Sequence, residues 1–306
     1  MSPSIVFMGT PDFAVPVLEK LSNNFQVTGV ITQPDRPSGR GRKLIPSAVK
    51  VSAGSLNLEI FQTGNVNSNS TQEIIQTWNP DLIVVAAFGQ ILSPSLLAIP
   101  KFGCLNVHAS LLPRWRGASP INAAILNGDL NSGVTIMRMA EGLDDGPILV
   151  QETTLIQPEE TAGSLSDRLS SMGANLLVKT IPHYLSGEIQ PTAQDHSKST
   201  YAHMLKRQDG LLDFHQKAGA LARKVRAYSP WPGTYTFWND QRMIIHQVQA
   251  ISVTSPGPGV FTRYESFPAI GTGDGILVLK NLQLAGKRKL TGKEFLHGTS
   301  RWPNSH

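Results

Sequence analysis

The chain has 306 residues, 40% of them hydrophobic, enough to bury a sizeable core and to form about two domains at roughly 150 residues each. Its single cysteine, Cys104, excludes an intrachain disulfide and a cysteine-based metal site, and no apolar run reaches the roughly 18 residues of a membrane span. Formal net charge is +5 but uneven: residues 1–200 hold 13 Lys+Arg against 16 Asp+Glu, and residues 201–306 hold 14 against 6. That bias suits a polyanionic partner for the last third, and equally a solvated basic surface. The first ten residues enter an apolar strand pattern without the basic start of a secretory signal, so a reducing cytoplasm is expected.

Hydrophobic period and turn residues predict the elements in chain order. Ser4–Met8 is a short apolar strand, Phe13–Leu21 has helical spacing, and Val27–Thr32 is a second strand. Asp35–Lys50 is basic and rich in Gly and Pro, which argues against a regular helix and for a flexible cationic loop. Glu73–Trp78 reads as a helix, Asp81–Ala87 as a buried strand and Gly103–Val107 as another; Cys104 there is a small buried hydrophobe. Ile121–Asn127 is a helix, Val134–Met139 and Ile148–Thr153 are strands, and Thr161–Tyr184 is a long helix. Strands alternating with helices predict an α/β, doubly wound, mostly parallel, Rossmann-like sheet that binds ligands at the carboxyl ends of its strands. Gly9-Thr10-Pro11 follows the first strand, but without G-x-G-x-x-G no dinucleotide site is assigned. Polar residues from Ser186 to Tyr201 read as a linker. Helix signals around Phe214–Arg226 then precede strands at Thr234–Trp238, Met243–Val253 and Gly275–Leu284, which suggest a small barrel. The expected division is 1–188, a linker at 189–205, and 206–306.

The chemistry concentrates at Asn106–Gly117, NVHASLLPRWRG, and at GLDDG from Gly142 to Gly146. Alternation in a strand places Asn106 and His108 on one face. An Asn amide can donate to a developing oxyanion, a His can carry a proton near neutral pH, and a carboxylate at Asp144 can orient or charge-balance that imidazole. An isolated Asn-x-His pair is most often structural, and loop residues at strand ends often only satisfy backbone groups. Arg114 and Arg116 flank Trp115 beside this string and either bind a substrate phosphate or hold the loop by pairing with acids. His183, His196, His203, His215, His246 and His297 show no ligand spacing and read as ordinary surface or packed histidines.

As a whole the string resembles the folate-dependent formyltransferases, whose site is an Asn, a His and an Asp in this order. MGTPDFAVPVLEKL, Met8 to Leu21, and TQPDRPSGRGRKL, Thr32 to Leu44, are similar to N-terminal signatures of the family members that formylate methionyl-initiator tRNA. The resemblance runs over essentially the full length. It departs at Ala109, where the pattern has Gly, and at Asp145 and Pro147, which are variable positions; the methyl of Ala109 removes no chemical group.

The resemblance implies 10-formyltetrahydrofolate as co-substrate, initiator methionyl-tRNA as acceptor, no metal, a monomer, and a catalytic domain followed by an OB-like tRNA-binding β-barrel domain. It implies Asn106, His108 and Asp144 as catalytic residues. It implies a folate pocket lined by Phe88, Gly89, Gln90, Ile91, Leu92, Ser110, Leu111, Leu112 and Pro113. The basic loop carrying Arg36, Arg40, Arg42, Lys43 and Lys50 would enter the acceptor stem, although composition alone favours a mobile surface loop. Lys206, Arg207, Arg223, Lys224, Arg226, Lys287, Arg288 and Lys289 are candidate RNA-backbone contacts. Trp231, Tyr235 and Trp238 can stack on bases, but alternation beside Pro232-Gly233 favours barrel core. The same trio would also serve transfer to a small amine, such as an amino-sugar nucleotide or purine-pathway amine, or hydrolysis of the formyl folate. A degenerate RNA-binding scaffold would have no need to keep all three.

Overall fold

The computed structural model describes residues 3–38, 43–299 and 302–303. In chain order the strands and helices begin with β1 (Ser4–Gly9), α1 (Val15–Asn24), β2 (Gln26–Thr32), β3 (Arg36–Ser38), β4 (Lys43–Ile45), α2 (Ala48–Ser55), β5 (Ile60–Gln62) and α3 (Asn69–Thr77). There follow β6 (Leu82–Ala86), α4 (Pro94–Leu97), β7 (Cys104–His108), β8 (Arg116–Gly117), α5 (Pro120–Asn127), β9 (Asn131–Arg138), β10 (Ile148–Leu155), α6 (Ala162–Leu185) and β11 (Tyr201–Ala202). The chain continues with α7 (Ala218–Ala227), β12 (Thr234–Trp238), β13 (Gln241–Ile251), β14 (Phe261–Tyr264), β15 (Phe267–Gly271), β16 (Ile276–Leu284), β17 (Leu290–Thr291) and α8 (Gly292–His297). Two compact units result: Met1–Pro120 with Asn131–Leu155 and Ser166–Ala202, and Ile121–Leu130 with Ile156–Leu165 and His203–His306. Among the described residues no helix is long and apolar enough to cross a membrane.

The first unit is built on a seven-stranded sheet in the order β10-β9-β7-β6-β1-β2-β5. The pairs β1–β2, β1–β6, β2–β5 and β6–β7 are parallel, while β9 runs antiparallel to β7 and β10. Every residue of β6, Leu-Ile-Val-Val-Ala, is buried, as a central strand covered on both faces requires. From β1 the chain winds outward through β2 to β5 and then returns to the opposite side of β1 at β6. That reversal is the switch point where open α/β sheets hold ligands, at the carboxyl ends of the strands.

Short helices here start on serine caps. The side chains of Ser47, Ser68 and Ser93 accept from the backbone N–H of Lys50, Thr71 and Leu96, satisfying donors that the first turn leaves without helical partners. The described residues of the basic segment are therefore not all irregular loop. They include the ends of the β3–β4 hairpin, in which Pro37 opposes Leu44, and then the first turn of α2.

The sheet of the second unit pairs its strands antiparallel, ordered β12-β13-β16-β15-β14 with β17 also on β16. Register shifts around Gln247 bend the long β13. Its core gathers Leu221 and Val225 of α7, Met243, Ile245, Leu277, Leu279, Leu282 and an aromatic cluster. Trp302 anchors that cluster: its ring centroid lies 4.9 Å from Phe261, 5.5 Å from Phe295 and 5.6 Å from Trp238, and its indole N–H donates to Thr262 O at 2.6 Å. Trp238 is thus core, as the alternation favours, whereas Trp231 is 51% exposed and is not. Tyr235 carries the Arg242 guanidinium over its ring at 3.7 Å.

Strand β2 shows how tightly the first sheet is covered. Gly29 is buried under Trp78, whose ring atoms would stand 2.4 Å from a Cβ at that position. Overpacking of this kind costs about 1–3 kcal/mol. Gly29→Ala is therefore expected to lower the urea midpoint of unfolding with an unchanged m-value.

Candidate active site

Strand β7 lies between β6 and β9, and its carboxyl end delivers Asn106 and His108 to the same edge. Asp144 comes from the loop between β9 and β10. Asn106 Nδ2 donates to Asp144 Oδ1 at 3.3 Å, and Asp144 Oδ2 accepts the Gly117 N–H at 2.8 Å. The same Oδ2 lies 3.7 Å from His108 Nδ1, too far for a hydrogen bond but near enough to act on a positive charge placed on that ring. The His108 and Asp144 side chains are only 6% and 15% exposed. The three residues expected together from sequence are thus brought together.

The environment of His108 fixes its ring. Nε2 lies 2.9 Å from the Trp115 carbonyl, which can only accept, so Nε2 carries the proton. The other nitrogen, Nδ1, is left facing the carboxylate. In the neutral ring Nδ1 is an acceptor, so the side chain is poised to take a proton beside a negative charge that stabilises the resulting cation.

The Asp144 loop is tightly constrained. Asp144 has φ 50°, a left-handed conformation that Asp tolerates better than most residues. Gly146 lies so close to the neighbouring chain that a Cβ would sit 2.0 Å from the Arg138 carbonyl oxygen. This explains the glycine that closes GLDDG.

The loops expected to line a folate pocket occupy the carboxyl ends of β6 and β7. Phe88 and Leu92 are buried in the core, Gly89 has φ 80°, and Ile91 is 65% exposed. Gln90 is committed to its own scaffold: its Oε1 accepts the Val66 N–H at 2.8 Å and its Nε2 donates to Thr63 O at 3.2 Å. Ser110 Oγ donates to Arg114 O at 2.6 Å, and Leu112 is buried. A buried hydroxyl organises this second loop. Thr135 Oγ1 donates to Ser110 O at 2.6 Å and accepts from Leu112 N at 3.1 Å and Gln151 Nε2 at 2.8 Å, while Gln151 also donates to Leu112 O. Pro113 follows directly, and its carbonyl accepts from Thr200 N at 3.3 Å. Leu111 packs against Gly133, where its Cδ2 would be 2.5 Å from an added Cβ.

Arg116 is withdrawn from solvent and, among the described residues, pairs with no acid. It is 2% exposed and bonds Gln194 and His196. Arg114 stacks on the Trp115 ring at 4.4 Å. The segment expected as a linker is built into the first unit: Thr192 bridges Ile148, and Tyr201–Ala202 pairs with Arg116–Gly117. His196, read as an ordinary histidine, is a partner of a buried guanidinium. His183 and His215 bond Glu188 and Asp213, and burial pushes His246 below its usual range. Cys104 is buried beneath the site, and desolvation pushes its thiol up to about 12.

Among the basic residues, Arg40 and Arg42 lie outside the described residues. Arg36 is exposed and bonds the Gln33 side chain, and Lys43 belongs to β4. Lys50 is clamped on Asp35 at 2.8 Å; hydrogen bonds from Lys50 and Gln62 hold that carboxyl below its usual range. In the second unit Lys206, Arg207, Lys287, Arg288 and Lys289 are exposed. Arg223, Lys224 and Arg226 are half-buried and spend hydrogen bonds on the carbonyls of Leu126, Leu211 and Glu160. Burial pushes the Lys224 ammonium and the Arg226 guanidinium downward from their ordinary values.

A sheet with a switch point and, at its carboxyl edge, a buried Asn106 and His108 beside a partly buried Asp144 defines a site suited to acyl-type transfer. Residues 3–181 match the model of the formyl transferase family, and residues 204–300 match the formyl transferase C-terminal domain. The chain belongs to the formyl transferases. Methionyl-tRNA formyltransferase of Citrifermentans bemidjiense is 44% identical over 300 residues, covering 98% of this chain and 94% of that protein. The protein of the same name from Geotalea daltonii is 45% identical over 296 residues, covering 96% and 95%. Among solved structures, WlaRD, a sugar 3N-formyl transferase crystallised in the presence of dTDP and 5-N-formyl-THF, superposes with a TM-score of 0.65. It covers 94% of this chain and 100% of its own at 22% identity, which speaks to the shared fold.

Proposed function

We propose that this chain transfers a formyl group from 10-formyltetrahydrofolate to the amino group of methionine carried on initiator tRNA. The observation that carries the chemistry is the cluster of Asn106, His108 and Asp144. The relatives at 44% and 45% identity carry the choice of acceptor, and the exposed basic residues of the second unit suit it. The folate fits the edge formed by residues 88–92 and 110–113. The positive φ of Gly89 turns the backbone there, Ile91 offers exposed apolar surface, and the side chains around them are already tied down. When bound, it supplies the formyl carbonyl and its nitrogen leaving group.

In this reading a bond forms between the methionine nitrogen and the formyl carbon as the bond from that carbon to the folate nitrogen breaks. One N–H of the Asn106 amide is held by Asp144; the second donates to the carbonyl oxygen as that oxygen gains charge. His108 Nδ1 receives the proton shed by the attacking amine. Asp144 stabilises the imidazolium, and the proton on Nδ1 is then available to the departing nitrogen. Phosphate contacts from Lys206, Arg207, Lys287 and Arg288, together with Arg36, Arg40, Arg42 and Lys43 near the acceptor end, would position the tRNA without reading its sequence. Arg223, with its carbonyl bond, would serve there only in part.

The deciding experiment compares formyl transfer to charged initiator tRNA, charged elongator methionine tRNA and free methionine, with a no-acceptor control. Transfer confined to the charged initiator is expected; formate release without acceptor would identify a hydrolase instead. Asn106→Ala is expected to lower kcat by about 10²–10³-fold, the worth of one oxyanion donor. His108→Ala and Asp144→Ala should each cost about 10²–10⁴-fold with the fold intact, and near-normal kcat in folded His108→Ala would overturn its role. Replacing Lys287 and Arg288 together with Ala should raise KM for charged tRNA and leave kcat at saturating tRNA unchanged. It should also flatten the log–log dependence of tRNA affinity on salt by about 0.7–0.9 per lost phosphate contact. An unchanged salt slope would remove both residues from the RNA surface.

A further inference from the structure

Gln194 lies 50 residues beyond Asp144 in the chain and is 5% exposed, yet it reaches the Asp144 loop directly. All four hydrogen-bonding positions of its amide are filled. Nε2 donates to the backbone carbonyls of Asp144 at 2.9 Å and Gly146 at 2.7 Å. Oε1 accepts from Arg116 Nη2 at 2.7 Å and Nε at 3.1 Å. The partners fix which way round the amide sits. Carbonyls only accept and a guanidinium only donates, so a flipped amide would set oxygen against oxygen and N–H against N–H.

Arg116 is itself held at both ends. It is 2% exposed, its guanidinium also meets His196 Nδ1 at 3.3 Å, and its backbone N–H donates to Thr200 O at 2.8 Å. The next residue, Gly117, gives its N–H to the Asp144 carboxylate. Asp144 is thus gripped twice from one short segment, through its side chain by Gly117 and through its main chain by way of Arg116 and Gln194. Its φ of 50° is one that a residue with a Cβ enters only at a cost, so the loop depends on such outside bonds.

We propose that Gln194 and Arg116 are positioning residues that set the Asp144 carboxylate against His108 Nδ1 and Asn106. The inference rests on the role of Asp144 proposed above and goes beyond it, because neither residue faces the reacting atoms. Gln194→Glu is the sharpest variant. It is isosteric and keeps the contact to Arg116, but it turns a carboxylate oxygen toward the two carbonyls that Nε2 now serves. Displacements near 1 Å in a catalytic group cost about 10²-fold, so kcat for formyl transfer should fall by about that factor with KM for the charged tRNA unchanged. Arg116→Lys keeps the charge but loses the two-pronged geometry, and should lower kcat in the same direction by less.

The test is a double-mutant cycle in single-turnover formyl transfer with enzyme in excess, after thermal unfolding has shown each variant folded. If Gln194 acts through Asp144, adding Gln194→Glu to Asp144→Ala costs nothing further. Wild-type kcat in Gln194→Glu, or losses that multiply in the double variant, would overturn the proposal. Should Gln194→Glu not fold, Arg116→Lys takes its place in the same cycle. A crippled Asp144→Ala beside a normal Gln194→Glu removes the bracket alone. Full activity in Asp144→Ala removes the reading of Asp144 and the bracket with it.

Discussion

Burial of polar groups at the carboxyl edge of the parallel sheet constrains everything around the site. Asn106, His108, Ser110, Arg116, Thr135 and Gln194 are all buried there. Each would cost about 1–3 kcal/mol if left without a partner. The edge must therefore supply donors and acceptors from wherever the chain can bring them. Thr135 comes from β9, Gln151 from β10, the Gly117 N–H from β8, and Gln194 from beyond the long helix α6. The result is a network in which each buried polar side chain orients the next, so the geometry of the trio is fixed before any ligand arrives.

This accounts for the segment after α6. Its composition, polar with Pro, Ser and Gly, is that of a tether, and it reads as one. In the folded chain it closes the Asp144 loop through Gln194 and completes a two-stranded ladder with Arg116–Gly117. A partner supplied 50 to 80 residues away in sequence leaves no local signature, since a glutamine in a polar stretch looks the same whether it is solvated or buried. The same holds for Thr135, which sits in an apolar strand but gives no sign that its hydroxyl ties down the loop at Ser110 and Leu112.

Where local rules act alone, the chain could be read. Continuous apolar runs marked β1, β6 and β7, and alternation placed Asn106 and His108 on one face. The gap left between the strands read at Thr234–Trp238 and Met243–Val253 is a tight turn at Asn239-Asp240, both at positive φ. Helices α2, α4 and α8 and the beginning of α3 escaped because their apolar stripes are short. Their start signals are nonetheless present: Ser47, Ser68 and Ser93 as caps, and the Thr291–Glu294 capping box. Charge was the least legible property. Lys50, Lys224 and Arg226 count toward a basic surface in the sequence, but in the fold one is paired with Asp35 and the others with main-chain carbonyls. Net charge locates a partner-facing region only roughly, because it cannot separate cations spent on the protein from those left to solvent.

The tautomer of His108 follows from the same logic of forced partners. A main-chain carbonyl, Trp115 O, holds Nε2–H, so no side-chain substitution removes that acceptor directly; only a change in the path of the loop can. Trp115 N is in turn bonded to Thr200 Oγ1 at 2.9 Å, which ties the loop's path to the segment carrying Gln194. The lone pair of Nδ1 is then turned toward Asp144 at 3.7 Å. A carboxylate at that distance does little for a neutral acceptor and much for a cation. The arrangement therefore favours the moment at which Nδ1 gains a proton over the state before it, and the difference between those states is what lowers a barrier. Rigid support of Asp144 matters for that reason, since the advantage falls away as the carboxylate drifts from the nitrogen that is to become charged.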